Sequence, residues 1–173
     1  SDDNLIRYVE TDVSGQTLKI RLREAFNFRN GHFKVFVTSP RYASVHASAS
    51  ADIESDGLIK SPDAISVKSS SAGAVTLELD APSIELDASS GAKIDSKGRT
   101  RKLSAEASSG ATVDAGSLLS ENTEASSSSG ATVNVHASVS LNASASSRGS
   151  VRYNGGEANI RKKESSGGSV SKD

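Results

Sequence analysis

Three oxygen-bearing side chains recur at nearly constant spacing in the middle of this 173-residue sequence: Asp95, Asp114 and Asn134. The corresponding places in other repeats hold Glu54, Thr76 and Arg152. Oxygen atoms in a row can bind Ca²⁺, which takes about six to eight oxygen ligands. Two carboxylates about 5 Å apart can also hydrolyse a glycosidic bond with retention. Because a solvated polar face explains the same pattern, we predict a polar column here and assign it no metal, cofactor or catalytic role.

Two basic clusters form the second candidate site: Lys97, Arg99, Arg101 and Lys102 in the first, and Arg161, Lys162 and Lys163 in the second. Both fall between predicted strands, so we expect each cluster to lie in an exposed loop. Loops of this charge can bind an anionic glycan or another surface polymer. Ordinary solubilising charge is the simpler explanation of the same residues.

The rest of the composition excludes several kinds of site. The three histidines, His32, His46 and His136, are far apart and lack metal-ligand spacing. The sequence contains no Cys, which removes disulfides and thiolate chemistry. A net charge of −1 gives no electrostatic basis for binding nucleic acid, and no apolar run is long enough to span a bilayer. We therefore expect neither a nucleic-acid partner nor a membrane span, and no enzyme.

The elements that must position these side chains are short repeats. A Ser-rich run ending in glycine returns in steps of 18 to 20 residues, at Gly73, Gly91, Gly110, Gly130, Gly149 and Gly168. An apolar column follows the repeated run, at Ile53, Val75, Ile94, Val113, Val133, Val151 and Val170. Steps this short and regular are typical of stacked coils, and apolar and polar residues alternate within each repeat as they do in strands. The sequence predicts an all-β parallel β-helix (solenoid) of about seven or eight short coils.

Residues 1–42 differ from the repeats and are predicted to form an N-terminal β cap. They contain all four Phe and two of the three Tyr, and such bulky side chains can cover the open end of a coil stack. Alternation predicts strands at 17–22 and 33–40, joined by a turn at Gly31. We predict one domain over residues 1–173, with the repeated coils in 43–173 and a loop at 55–64.

The motifs SSGATVD and SSGATVN resemble the auto-transporter adhesin family with the head GIN domain, a bacterial domain of unknown function. The C-terminal pattern is similar too, with Gly149, Val151 and Tyr153 followed by Gly155 or Gly156 and by residues 166–170. The resemblance implies a single-stranded, right-handed parallel β-helix and assigns no catalytic residue. It also implies a protein of the cell envelope, periplasmic or at the cell surface, or a secreted one. Because the sequence starts at SDDN without Met, we expect that a leader has been removed.

These observations lead us to expect a non-catalytic module of the bacterial cell envelope or surface, an adhesin or a structural binding protein. Its expected partner is a surface glycan or an envelope protein, and the unpaired strand edges at the two ends of the stack leave self-association open. The alternative is a polysaccharide-acting lyase or hydrolase on the same scaffold. Repeats this short leave little chain for the long loops that build such sites.

Overall fold

The computed structural model describes residues 6–23, 33–156 and 159–173. It divides into two compact units, Ser1–Pro40 and Arg41–Asp173. No helix among the described residues is long and apolar enough to cross a membrane. The predicted turn at Gly31, together with Phe26, Phe28 and His32, lies outside the described residues. The assignment of a cap within a single domain stays a prediction.

The first unit contains one antiparallel hairpin. A 3-10 turn at Ile6–Tyr8 leads into β1 (Val9–Ser14), which turns at Gly15 and pairs with β2 (Thr17–Leu22). The strand predicted at 17–22 is confirmed. The strand predicted at 33–40 is wrong, because this segment has no regular secondary structure. Alternating polarity indicates the two faces of an extended chain, but it does not require the chain to join a sheet.

The second unit is a parallel β-solenoid of about seven turns, which confirms the predicted fold class. Its strands are β3 (Ser44–Ala47), β4 (Asp52–Lys60), β5 (Ile65–Ser69), β6 (Ala74–Ala88), β7 (Lys93–Ala107), β8 (Thr112–Ser127), β9 (Thr132–His136), β10 (Ser140–Ala145), β11 (Ser150–Asn154), β12 (Asn159–Glu164) and β13 (Ser169–Lys172). Each described strand of this unit pairs in parallel with its equivalent in a neighbouring coil. The predicted loop at 55–64 is wrong over its first part, since β4 continues to Lys60.

The predicted column of Val and Ile is confirmed by the strand register. Successive members pair directly along the stack, from Ile53 with Val75 to Val151 with Val170. The five members between Ile53 and Val170 are each at most 1% exposed. Full burial of such a side chain stabilises a fold by about 1.5–3 kcal/mol, so this column contributes strongly to the stability of the stack. We number the coils 1 to 7 by their member of the column.

We divide a complete coil into three faces. Face A carries the Val/Ile column, face B follows it in the chain, and face C precedes the turn into the next coil; in β7 they are residues 93–95, 97–100 and 102–107. In coils 2, 3 and 4 a single bent strand crosses all three faces, and these strands are β6, β7 and β8. In coil 5, faces A and C are the separate strands β9 and β10. This difference determines where a groove opens on the surface.

The turn glycines occupy two different places, although the sequence pattern aligned them as one. Ser109 and Gly110 form the centre of a two-residue turn with φ of 52° and 70°, and the Ala111 N–H donates to the Ser108 carbonyl. Positive φ at both central positions is the pattern of a type I′ turn, where glycine fits without strain. Gly149 instead stands one position after its turn, where a Cβ would lie 2.4 Å from the Ser127 carbonyl oxygen. One glycine place thus serves the turn and the other serves close approach to the preceding coil.

Candidate functional site

The predicted polar column exists as a row of neighbours on face A. Asp95 pairs in register with Asp114, and Asp114 pairs with Asn134. The Lys93 ammonium lies 4.0 Å from the Asp95 carboxylate, and the Gly116 N–H donates to Asp114 Oδ1 at 3.3 Å. All three column residues are partly exposed. No group of three or more His, Cys, Asp or Glu residues in the described parts of the chain is arranged to hold a metal ion.

The first basic cluster lies in a strand, so the loop predicted there is wrong. Strand β7 runs through the cluster and turns its corner at Gly98, whose φ is +118°. A Cβ at Gly98 would lie 2.1 Å from the Leu79 carbonyl oxygen of the preceding coil, so only glycine allows this contact. Ser96 and Thr100 on either side are buried. Because these inward side chains are small and polar, the strand does not show the apolar alternation by which strands were predicted.

Two cations of the first cluster are paired across face B. Lys97 Nζ lies 3.2 Å from Glu78 Oε2, and Arg99 Nη2 lies 2.8 Å from Asp80 Oδ2. Hydrogen bonding from Arg99 holds the pKa of the Asp80 carboxyl below its usual range. The same hydrogen bond raises the pKa of the Arg99 guanidinium.

The other two cations of the first cluster, Arg101 and Lys102, are exposed as predicted. Neither forms an ion pair with any described residue. A cation without a protein partner retains its full charge for a ligand. The free charge of the first cluster is therefore at these two positions.

The second basic cluster also lies in a strand rather than in the predicted loop. Strand β12 places Arg161 opposite Asn142, Lys162 opposite Ala143 and Lys163 opposite Ser144. Since Ala143 is buried in the core, Lys162 occupies an inward place in the row, and only Arg161 and Lys163 occupy outward places.

Lys162 and Glu164 together cover the end of the apolar rows. The Lys162 ammonium lies 4.8 Å from the centre of the Tyr153 ring and donates to the Val170 carbonyl at 3.3 Å. Glu164 pairs in register with Ala145, another buried residue, and accepts a hydrogen bond from the Val170 N–H. We call this pair of residues the C-terminal lid.

A shallow groove of about 480 Å³ opens beside the first cluster, and no sequence pattern singled it out. The residues that line it and carry charge or apolar surface are Asp80, Pro82, Arg99, Arg101, Leu119, Glu121 and His136. His136 was not predicted as a site residue, because its distance in sequence from the other histidines fits no metal-ligand pattern. A signal was available in the repeat length, because the coil that contains His136 is shorter than the one before it.

A family model described as "Putative auto-transporter adhesin, head GIN domain" matches residues 1–156. The chain belongs to this family. The match to the head GIN domain includes the groove and the first basic cluster, and it ends before the second cluster. No curated protein matches the chain.

Solved structures share the fold of this head GIN domain at low sequence identity. A structure described as a putative adhesin from Bacteroides fragilis is 18% identical with a TM-score of 0.84, and the alignment covers 99% of this chain and 79% of that one. A putative adhesin from Parabacteroides merdae is 19% identical with a TM-score of 0.67, covering 99% and 80%. A putative lipid binding protein from Parabacteroides distasonis is 19% identical with a TM-score of 0.64, covering 99% and 81%.

Proposed function

We propose that this head GIN domain is a non-catalytic binding module at the bacterial cell envelope or surface. The observation that carries the proposal is a rigid stack of coils whose outward side chains stand at fixed spacing, with free cations beside a shallow groove. Membership of an adhesin family supports a location at the envelope. The proposed partner is a surface polymer, a glycan before an envelope protein, because the groove combines free charge with little apolar area for a protein to bury.

A polysaccharide lyase or hydrolase is the alternative function for this scaffold. Acid–base catalysis needs its carboxylates in a cleft that contains the substrate and restricts water. Asp95 and Asp114 instead lie next to one another on a flat, partly exposed strand face. In the groove, His136 Nδ1 accepts the Ser120 N–H at 3.4 Å, so this ring nitrogen is engaged with the backbone. These two arrangements favour binding over catalysis.

A lipid surface is a second candidate partner, because one structural neighbour is named a lipid binding protein. In this chain, the hairpin of the first unit places Leu18, Ile20 and Leu22 on one side of β2, and each is 41–44% exposed. An apolar strand face of this kind is a feature of surfaces that bind other molecules. Co-sedimentation with neutral and anionic phospholipid vesicles tests this candidate. Vesicle binding that the triple variant Leu18→Ser, Ile20→Ser, Leu22→Ser abolishes would replace the polymer proposal.

The proposed function is tested by locating the protein and then assaying what it binds. We expect antibodies to label intact native cells, and external protease to remove that label. Beads coated with the purified chain should bind to a glycan array or to polysaccharide-coated surfaces, and uncoated beads should not. A protein found only in the cytoplasmic fraction would contradict the proposal. Turnover of a uronate polymer that Asp95→Asn or Asp114→Asn abolishes would establish the enzyme instead.

A further inference from the structure

Coil 5 is shorter than coil 4, and the difference exposes one edge of face B. Thr132 pairs with Thr112 and with Ser150, so the chain advances 20 residues from 112 to 132 but only 18 from 132 to 150. Residues 117–120 of β8 pair with β7 on one side. None of the described strands pairs with them on the other side, because β9 ends at His136 and β10 begins at Ser140. The missing strand leaves the groove.

Two residues of coil 5 hold the wall of the groove in place. The Ser120 N–H donates to His136 Nδ1, and the Ser138 N–H donates to the Ser120 carbonyl at 3.0 Å. The Ser120 and Thr123 hydroxyl groups both bond to the His136 carbonyl. Because the short segment is tied at several points, the groove is built into the coil rather than left by a loose loop.

The two arginines of the groove differ in their charge partners. Arg99 is committed to Asp80 through hydrogen bonds of 2.8 and 3.0 Å. Arg101 lines the same groove, is exposed, and forms no ion pair with any described residue. A guanidinium group presents paired N–H donors that match the two oxygens of a carboxylate. The groove therefore offers one free, planar site for an anion.

The remaining walls suit a sugar ring beside that anion. Leu119 is 56% exposed although it lies in a strand, and Pro82 lines the groove with it. Together they provide a small apolar platform for the C–H face of a pyranose. Glu121 is exposed in the same groove and can accept hydrogen bonds from sugar hydroxyl groups. A volume of about 480 Å³ is within the usual range of small-ligand sites, about 300–1,000 Å³.

We propose that this groove binds a carboxylate-bearing saccharide, namely a uronic acid residue of a polysaccharide. Its carboxylate binds Arg101, its ring packs on Leu119, and its hydroxyl groups donate to Glu121. The inference rests on the proposed function, since it names the class of surface polymer and the place where it binds. Neutral saccharides lack a charged group, and saccharides whose only charge is tetrahedral sulfate lack the planar carboxylate that matches the guanidinium fork, so both should bind more weakly.

The test is a titration of the purified chain with oligogalacturonate, in which binding is measured by calorimetry and by changes in amide chemical shifts. We expect saturable binding with shifts at Leu119 and His136. Arg101→Gln should weaken binding at least about tenfold, since a charge-assisted pair is lost. Arg152→Gln is the matched control, because Arg152 is exposed on face A and also lacks an ion pair to any described residue; it should leave binding unchanged.

Three results would overturn the inference. The first is no saturable binding of oligogalacturonate to a chain whose folding is verified by its thermal unfolding curve. The second is equal loss in Arg101→Gln and Arg152→Gln, which would mean that overall charge drives binding. The third is equal affinity for methyl-esterified oligogalacturonate, for maltooligosaccharide or for dextran sulfate, which carries sulfate but no uronic acid. If the chain instead binds another glycan through a different face, the proposed function stands and only this inference fails.

Discussion

The basic cluster at 97–102 lies in the middle of the solenoid, whereas the cluster at 161–163 lies near its C-terminal end. In the middle, other residues of β7 form its inward row, so the cations project outward. Lys97 pairs there with Glu78 of coil 2, and Arg99 pairs with Asp80. At the end, Lys162 itself occupies an inward place and contacts Tyr153 and the Val170 carbonyl.

A charged residue in a solenoid acquires its role from its row and its coil. An inward charge in a central coil would be buried without a partner, which costs several kcal/mol. The same charge in the last coils covers apolar rows and leaves its head group near water. Inward-pointing charges at sheet edges are a known means of blocking further strand addition.

The largest effect on stability is expected at Gly98, where β7 bends within the first basic cluster. Gly98→Ala places a Cβ 2.1 Å from the Leu79 carbonyl oxygen and imposes an L side chain on φ of +118°. We expect a loss of about 2–4 kcal/mol in the free energy of unfolding, measured by chemical denaturation. Gly116→Ala is the control, because its nearest neighbour would be 3.5 Å away. Equal stability of the two variants would contradict the role assigned to Gly98.

The next effect concerns the C-terminal lid. Lys162→Val with Glu164→Val makes the inward row of coil 6 apolar without changing the net charge. We expect the double variant to fold and to associate with itself as its concentration rises, because its end then resembles an interior coil. Light scattering after size-exclusion chromatography measures this change.

The matched control for the lid is Arg161→Val with Asp173→Val. It has the same change in charge and size, but Arg161 occupies an outward place in β12 and Asp173 is exposed. This variant should keep the molar mass of the parent chain at every concentration. Association to the same extent in both double variants would show that added apolar surface, rather than the open end, drives it.

The sequence predicted the features that repeat in every coil. Val113 lies between Ile94 and Val133 as its spacing indicated, because equivalent apolar residues must stack to be buried. The polar column followed from the same register. The periodicity of the side chains was therefore sufficient to predict the fold class, the inward rows and the neighbours of Asp114 in the polar column.

The sequence could not predict the features that depend on one coil differing from the next. Gly73 and Gly91 look equivalent in the pattern, but their places differ by one residue, since Ala74 pairs with Lys93. Gly130 and Gly149 differ by one place in the same way, so the glycine spacing shows coil 5 as only one residue shorter than coil 4, whereas the strand register shows two. Lys162 was predicted to lie in an exposed loop because its cluster falls between predicted strands, whereas the structure places it in β12 opposite the buried Ala143.

The smallest effect is expected for the ion pair between Arg99 and Asp80, which neutralises one of the two arginines of the first cluster. Arg99 lowers the pKa of Asp80 below its ordinary value of 3.8, so the pair stabilises the fold at neutral pH. This contribution is lost as the pH falls through the lowered pKa, because protonated Asp80 no longer attracts the guanidinium. Both side chains reach solvent, so the effect on stability is small. NMR titration of the Asp80 carboxyl carbon should give a midpoint below 3.8 that moves up towards it in Arg99→Gln. Arg101→Gln should leave the midpoint where it was, and a comparable shift in that variant would mean that Arg101 is not the free cation of the groove.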